Sequence, residues 1–199
     1  MFSQNNEEQI IREYFKDSFE NVTLLDIGAN DGVTLSNSRF AIMQGASAVL
    51  IEPSPIAFKN LKNLYKTKKN VYVGNCAISD QTGQMDFYNT SDPLVASLIE
   101  SEAKKWHELG VKYDCISIDT YTFNDLLNII PYEKFDLILI DAEGVDYVIL
   151  SQIDLKKIGA KMVIVEWNSK CFEIFDKYFI KYGFELHSKN AENLIYVVK

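Results

Sequence analysis

The sequence predicts an α/β fold in which a mainly parallel sheet is covered by helices. Short apolar runs that suit buried strands alternate with longer segments whose apolar residues recur at helical spacing. The last two strand-like runs, 184–187 and 194–198, are close enough in the chain to form an antiparallel hairpin. Sustained alternation is typical of parallel sheets, because parallel neighbours need a crossover connection.

The first part of the chain contains an opening helix and then strands that alternate with helices. Ser54 and Pro55 form an N-cap and first-turn pair for one helix, and Gly45 ends the helix before it. In order, the pattern predicts a helix at about 6–19, a strand at 22–27, a helix at 34–44, a strand at 49–52, a helix from 55 to about 65 and a strand at 71–73.

The middle of the chain is less regular, and the alternation resumes towards its end. Ser97 with Glu100, and Thr122 with Asp125, have the spacing of capping boxes and predict two helix starts. The other expected elements are short strands at 85–88 and 115–118, a strand at 135–140, a helix at 145–153, a strand at 162–165 and a helix at 172–182.

The composition is that of a single globular domain spanning residues 1–199. Hydrophobic residues make up 47% of the chain, which is enough for one substantial core. The formal net charge of −8 disfavours nucleic acid as a partner, since phosphate binding needs concentrated Lys and Arg. No apolar run suits a bilayer span, and the N-terminus does not resemble a signal peptide. The scattered Cys76, Cys115 and Cys171 predict a reducing, cytoplasmic location.

The segment from Leu24 to Gly32 has the pattern of a nucleoside-binding loop. An apolar strand leads into Asp26 and then into a glycine-punctuated turn, where the backbone can approach a ligand closely. Glu52 ends the next strand, where a carboxylate can accept hydrogen bonds from both ribose hydroxyls. The loop is not G-x-G-x-x-G, and its acidic residues would repel a pyrophosphate. An adenosine ligand with positive charge, S-adenosylmethionine, is therefore the predicted cofactor.

Acidic and amide side chains also follow two later strands. Asp141 and Glu143 follow the strand at 135–140, and Glu166 and Asn168 follow the strand at 162–165. Ligands of open parallel sheets bind outside the carboxyl ends of the strands. We therefore expect these side chains to gather at one edge of the sheet, around the same ligand.

Five motifs in this chain resemble those of the FkbM family of S-adenosylmethionine-dependent methyltransferases. In order, they are Leu25-Asp26-Ile27-Gly28-Ala29-Asn30-Asp31-Gly32, Ile51-Glu52-Pro53, Asn75-Cys76-Ala77-Ile78-Ser79-Asp80, Ile118-Asp119 and Ile140-Asp141-Ala142-Glu143-Gly144. The first is shared by many methyltransferases, whereas the Asp-x-Glu-Gly motif points to FkbM. The resemblance implies a Rossmann-like class I fold with a seven-stranded sheet. It also implies methyl transfer, usually to a hydroxyl oxygen of a sugar, a natural product or a lipid.

The resemblance further implies a role for individual residues. Glu52 would hold the ribose hydroxyls, and Asp141 would lie near the sulfonium and the methyl group. The residues expected under the methionine part of the cofactor are Asp26, Gly28, Ala29, Asn30, Asp31 and Gly32. The residues expected to border the adenine ring are Pro53, Asn75, Cys76 and Ala77.

The chain departs from the family pattern at one position, and it is compact. Family members often carry a lysine two residues before the Asp of the Asp-x-Glu-Gly motif, where this chain has Leu139. Because few residues remain to cover an acceptor, we expect only a small substrate-capping insertion at about 89–112. The expected partner is a small-molecule or glycan acceptor.

Methyl transfer to a hydroxyl needs a base that removes the proton or a metal that lowers the hydroxyl pKa. Asp141 and Glu143 are the candidate bases or substrate-orienting groups, or alternatively a helix cap and a first-turn acid. His107 in the capping insertion is another candidate base, or an ordinary surface histidine. Asp141, Glu166 and Asn168 offer oxygen ligands of the type that Mg²⁺ prefers, but their spacing is a weak indication of a metal.

Two other functions fit part of the pattern. A non-catalytic module would keep the same S-adenosylmethionine site without transferring a methyl group. An NAD-dependent oxidoreductase would use the same strand, turn and helix with Glu52, although the acidic loop and the Asp-x-Glu-Gly motif count against it. The main prediction is an S-adenosylmethionine-dependent O-methyltransferase.

Overall fold

The computed structural model describes residues 2–168 and 171–199. The strands are β1 (Thr23–Ile27), β2 (Ser47–Ile51), β3 (Val71–Gly74), β4 (Ala77–Ile78), β5 (Gly83–Thr90), β6 (Tyr113–Tyr121), β7 (Leu137–Ile140), β8 (Met162–Glu166), β9 (Phe184–Lys189) and β10 (Asn193–Val198). The helices are α1 (Glu7–Phe15), α2 (Arg39–Met43), α3 (Pro55–Tyr65), α4 (Glu100–Glu108), α5 (Phe123–Leu127), α6 (Asp146–Leu150), α7 (Leu155–Ile158) and α8 (Phe172–Lys181), and a 3-10 turn covers Pro93–Val95. Within these residues, no helix has the length and apolar character needed to cross a bilayer.

The main sheet has seven strands in the order β3-β2-β1-β7-β8-β10-β9. Strands β3, β2, β1, β7 and β8 run parallel to one another, and β10 is antiparallel to both of its neighbours. The predicted α/β class, the mainly parallel seven-stranded sheet and the C-terminal hairpin are therefore confirmed.

Both faces of this sheet are buried, because successive side chains point to opposite faces and helices cover each one. Leu25 and Val163 belong to one apolar core, whereas their chain neighbours Leu24 and Ile164 belong to the other. The two cores hold the parallel strands in register, so the carboxyl ends of β1, β2, β7 and β8 lie along one edge of the sheet.

A second sheet, in the order β4-β6-β5, is inserted between β3 and β7. Strands β5 and β6 pair antiparallel from Gly83–Thr120 to Thr90–Tyr113, well beyond the short strands that the sequence predicts. The chain between these strands forms the 3-10 turn and α4, and it includes most of the segment 89–112.

The prediction of a helix over residues 34–44 is wrong for its first half. The Asp31 carboxylate accepts hydrogen bonds from the backbone N–H groups of Val33 and Thr34 and from the Thr34 hydroxyl, at 2.7–2.8 Å. Leu35 then takes a left-handed conformation with φ of 54°. These local side-chain bonds replace helical ones, so α2 begins only at Arg39.

Two other predicted helices are too long. Helix α1 ends at Phe15, because Lys16 and Asp17 both have positive φ, and the predicted helix at 145–153 is helical only over Asp146–Leu150. The Ser97–Glu100 capping box is also wrong, since α4 begins at Glu100 with Ile99 as its N-cap. The Thr122 cap is confirmed, because its side chain accepts from the backbone N–H of Asp125.

Candidate active site

Four carboxylates from the main sheet lie at the edge formed by the strand ends. Asp26 belongs to β1, Glu52 follows β2, Asp141 follows β7 and Glu166 ends β8. The sheet order β2-β1-β7-β8 makes these strands consecutive neighbours. Parallel pairing therefore brings together side chains that are far apart in the sequence.

The loop after β1 is held against the two neighbouring strands. The backbone N–H groups of Gly28 and Ala29 donate to the carbonyl of Ile51 at 2.9 and 3.1 Å, and the N–H of Asp141 donates to the carbonyl of Ile27 at 2.9 Å. Gly28 has a φ of 90°, and a Cβ atom on it would lie 1.7 Å from the carbonyl oxygen of Asp141. Only glycine fits there, so the loop and the end of β7 are in backbone contact.

Glu52 joins the β1 loop to the start of α3. Its Oε2 atom accepts from the N–H of Asn30 at 2.8 Å, and its Oε1 atom accepts from the N–H of Ser54 at 2.7 Å. Burial raises the pKa of Glu52 to about 8, although both hydrogen bonds act in the opposite direction. A carboxylate has about four acceptor positions, so this arrangement leaves capacity for two further donors from a ligand.

Asp146 holds the Asp-x-Glu-Gly turn in its shape. Its two carboxylate oxygens accept from the N–H groups of Ala142 and Gly144, at 2.7 and 3.0 Å. Glu143 has a φ of 48°, so its side chain is presented by a left-handed residue. The hydroxyl of Ser97 donates to the carbonyl of Glu143 at 2.7 Å, and this bond connects the insertion to the turn.

Two cavities adjoin the strand ends and share Gly28, Asn30, Leu94, Asp141 and Glu143 as lining residues. We call the first the apolar pocket; besides the shared residues, its lining includes Ile51, Glu52, Pro53, Cys76, Ala77, Ile78, Phe87, Ser97, Leu98 and Val145. We call the second the acidic cleft; besides the shared residues, its lining includes Asp26, Ala29, Leu35, Asp92, Trp106, Glu166, Asn168 and Glu192.

The described lining of the acidic cleft is rich in carboxyl groups. No Lys, Arg or His is among the described residues that line it. Burial raises the pKa of Asp26 to about 6, with a partly offsetting hydrogen bond from Ser38. Asp141 is an exposed residue, yet desolvation of its carboxyl and the charges of Asp146 and Asp26 raise its pKa above the ordinary value. The pKa of Glu166 is raised by burial and then by the charge of Asp141.

The structure places most of the residues proposed from the sequence around these two cavities, but it leaves four of them outside. The Asp31 carboxylate already accepts hydrogen bonds from the backbone N–H groups of Val33 and Thr34. Gly32 packs against α3, where a Cβ atom on it would lie 2.6 Å from the side chain of Leu61. The side-chain amide of Asn75 donates to the carbonyls of Glu52 and Pro53 at 2.8 and 3.1 Å. Asn75 therefore stabilises two residues that line the apolar pocket without lining it itself.

His107 is the fourth residue that does not line either cavity. It is exposed on α4, its Nδ1 lies 3.2 Å from the carbonyl oxygen of Val111, and its ring meets Tyr113 edge-on. Trp106, its neighbour in sequence, does line the acidic cleft. The helical turn therefore directs the tryptophan and the histidine to different sides of α4.

Sequence reasoning missed Asp146, Ser97 and Leu94. Asp146 follows the Asp-x-Glu-Gly motif by two residues, a spacing that allows a side chain to accept from the turn, so a local signal exists. Ser97 and Leu94 belong to the insertion and reach the site only through tertiary packing, for which the sequence carries no local pattern.

Solved structures share this fold at low sequence identity. The putative methylase HI0767 from Haemophilus influenzae has a TM-score of 0.53 at 12% identity, covering 99% of this chain and 91% of that chain. The putative methyltransferase yhhF from Escherichia coli has a TM-score of 0.52 at 13% identity, covering 99% and 87%. Monomeric WbdD has a TM-score of 0.52 at 11% identity, and this chain, 98% of which is covered, spans only 41% of it.

Family membership comes from the sequence itself. A comparison with curated proteins finds no match. The family model for the methyltransferase FkbM domain, however, matches residues 26–186, a range that contains both cavities' strand-end residues from Asp26 to Glu166. The chain therefore belongs to the FkbM methyltransferase domain family.

Proposed function

We propose that this methyltransferase binds S-adenosylmethionine across the apolar pocket and the acidic cleft and methylates a hydroxyl oxygen of a sugar-like or natural-product-like small molecule. The observation that carries the proposal is Glu52. It is 5% exposed, lines the apolar pocket, and keeps acceptor capacity beyond its two backbone hydrogen bonds. A buried carboxylate of this kind suits the vicinal hydroxyls of a ribose.

The residues around Glu52 fit an adenosine. Pro53, Cys76 and Ala77 line the same pocket, and Ile78 and Phe87 add apolar surface that suits a flat aromatic base. Asn75 would act from outside, by fixing the carbonyls of Glu52 and Pro53. In this proposal Asp31 and Gly32 shape the loop and do not touch the cofactor.

The methionine part would extend into the acidic cleft, past the residues that line both cavities. Asp26, Gly28, Ala29, Asn30 and Asp141 line this route. Carboxylates in a cleft whose described lining contains no Lys or Arg favour a positively charged ligand, which suits the sulfonium and the amino group. When bound, S-adenosylmethionine supplies the activated methyl group.

Asp141 is the proposed acceptor of the hydroxyl proton, and Glu143 is the proposed orienting group. Both carboxylates line the cleft beyond the loop of Gly28, and the raised pKa of Asp141 makes it a stronger base at neutral pH than an ordinary aspartate. The segment 89–112 would cover the acceptor, since Asp92, Leu94 and Trp106 line the same cleft. Mg²⁺ forms no part of the proposal, because acidic side chains that meet in a cleft do not by themselves identify a metal.

The two alternative functions make different demands on the site. An NAD-dependent oxidoreductase must bind a pyrophosphate, and no described Lys, Arg or His lines either cavity. A non-catalytic module needs the cofactor site alone, and it would not need Glu143 and Trp106, which line the acidic cleft on the proposed acceptor side. Both considerations support methyl transfer.

Calorimetric titration with S-adenosylmethionine, with NAD and NADP as controls, tests the cofactor. We expect saturable binding of S-adenosylmethionine alone, and a loss of at least tenfold in affinity for Glu52→Ala, since the two proposed hydrogen bonds to the ribose hydroxyls are removed. Glu185→Ala, an exposed glutamate on β9, is the matched control. Preferential binding of a nicotinamide cofactor would overturn the proposal.

A further inference from the structure

The described lining of the acidic cleft contains more carboxyl groups than the proposed cofactor has positive charges. Its described lining includes the carboxylates of Asp26, Asp92, Asp141, Glu143, Glu166 and Glu192. S-adenosylmethionine carries a sulfonium, an amino group and a carboxylate, which together amount to a single net positive charge. The part of the cleft that remains open to an acceptor is therefore lined with carboxyl groups that a cation could ionise and bind.

Three of these carboxylates converge from separate segments. Asp141 and Glu143 belong to the turn after β7, and Glu166 ends β8. One oxygen from each residue can be chosen so that all three lie within 4.8 Å of one another. Desolvation, followed by the charges of neighbouring carboxylates, raises the pKa of both Asp141 and Glu166.

Glu166 supplies an independent indication of a missing ligand. The residue is 7% exposed, and its Oε2 atom is buried without a hydrogen-bond partner among the described residues. It also lines the acidic cleft. A buried carboxylate oxygen without a donor is destabilising, and such groups in folded proteins usually have a specific reason. The donor that satisfies Glu166 is expected to come from a bound molecule.

A primary ammonium group matches this arrangement. It has three N–H donors, and tetrahedral geometry with donor–acceptor distances near 2.8 Å would place three acceptors about 4.6 Å apart. The cleft also has an apolar part, formed by Leu35, Leu94 and Trp106, which would contact the carbon skeleton that carries the amine. A bare metal ion would use the carboxylates but not these apolar side chains.

We propose that the acceptor carries a protonated primary amine close to the hydroxyl that is methylated, and that one oxygen each of Asp141, Glu143 and Glu166 binds this amine. The other oxygen of Asp141 is left to accept the hydroxyl proton. The inference rests on the proposed methyltransferase function and names its acceptor class, an amino alcohol or amino sugar. A protonated amine has no lone pair with which to attack the methyl group. It therefore anchors the acceptor, and the neighbouring hydroxyl remains the nucleophile.

The test uses the full chain saturated with S-adenosylhomocysteine, which prevents turnover, and two matched probes. Trans-2-aminocyclohexanol and trans-1,2-cyclohexanediol differ only in the amine, and ligand-observed NMR measures weak binding of each at pH 7. We expect the amino alcohol to bind about tenfold more tightly than the diol. Glu166→Gln should abolish this preference, whereas the control Glu185→Gln, at an exposed position on β9, should keep it.

Two further measurements separate the possible failures. Glu166→Gln should leave the affinity for S-adenosylhomocysteine unchanged, because Glu166 is not among the proposed cofactor contacts. Equal binding of the two probes, or a preference that survives in Glu166→Gln, would overturn the amine site. Micromolar Mn²⁺ binding that depends on Glu166 would assign the carboxylates to a metal instead. If the cofactor itself fails to bind, the proposed function fails, whatever the probes show.

Discussion

The carbonyl oxygen of Asp141 occupies the space that a side chain on Gly28 would need. A Cβ atom at position 28 would lie 1.7 Å from that oxygen, and the φ of 90° also disfavours any other residue. This contact aligns the loop after β1 with the turn after β7. The cofactor loop and the proposed catalytic aspartate are thus positioned by the same backbone contact.

We expect Gly28→Ala to lower the free energy of unfolding by about 3 kcal/mol and to abolish S-adenosylmethionine binding. Gly110→Ala is the matched control, because Gly110 has a similar φ of 97° but nothing within 4 Å of the added carbon. Chemical denaturation and calorimetry measure both effects. Equal losses of stability in the two variants would show that backbone strain, and not the contact with Asp141, limits position 28.

Stability of the cofactor-free protein should fall as the pH rises from about 5 to 8. Burial raises the pKa of Asp26 from 3.8 to about 6 and that of Glu52 from 4.5 to about 8. The folded protein therefore retains protons that the unfolded chain has released, so the free energy of unfolding decreases as the pH rises. Thermal unfolding across this range measures the effect, at roughly 2–4 °C for each kcal/mol.

Asp26→Asn should reduce the pH dependence of stability between pH 5 and 6, because it removes the carboxyl group that is expected to lose its proton near pH 6 in the folded protein. The exposed Asp119 of β6, changed to Asn, is the control for the loss of one negative charge. A melting temperature that rises steadily from pH 5 to 8 in the unaltered protein would contradict this account.

Asp141→Asn should separate binding from turnover. The substitution keeps the shape of the side chain and the backbone bond from Asp141 to Ile27, so affinity for S-adenosylmethionine should fall by less than about tenfold although one carboxylate of the cleft is lost. Methyl transfer should fall by about 100-fold or more if the carboxylate accepts the proton. The comparison needs kcat with an active acceptor, and unchanged turnover would remove Asp141 from the mechanism.

His107→Ala should leave methyl transfer within twofold of the unaltered protein. The histidine is exposed, lies against Val111 and Tyr113, and lines neither cavity. Trp106→Ala, one residue away on α4, should instead raise the KM for the acceptor, because Trp106 lines the acidic cleft. A large loss of kcat in His107→Ala would show that α4 rearranges when an acceptor binds.

Local patterns account for the parts of the fold that the sequence could predict. The strands of the main sheet are apolar runs with clear ends, and the strand-end positions of Glu52 and Asp141 follow directly from them. Parallel pairing then brings the strand ends together, which is a general property of such sheets. For this reason the edge of the sheet could be identified without knowledge of any distance.

The remaining features depend on competition or on contacts between distant segments. Asp31 has the sequence position of a ligand-binding residue, but its carboxylate is used by the backbone at Val33 and Thr34. The burial of Glu166 depends on how β8 and the elements around it pack, and the direction of His107 depends on the rotation of α4. No local pattern in the sequence encodes either outcome.

The bond from Ser97 to the Glu143 carbonyl, together with the close approach of α4 to Gly144, restricts how acceptor specificity can change. A Cβ atom at position 144 would lie 3.1 Å from Ile99 and 3.2 Å from Glu102. If segment 89–112 were replaced by that of a relative, it could pack against the turn after β7 only with a small residue at position 144 and a hydrogen-bond donor at position 97. Diversification of the acceptor thus requires the insertion and the turn after β7 to coevolve as one unit.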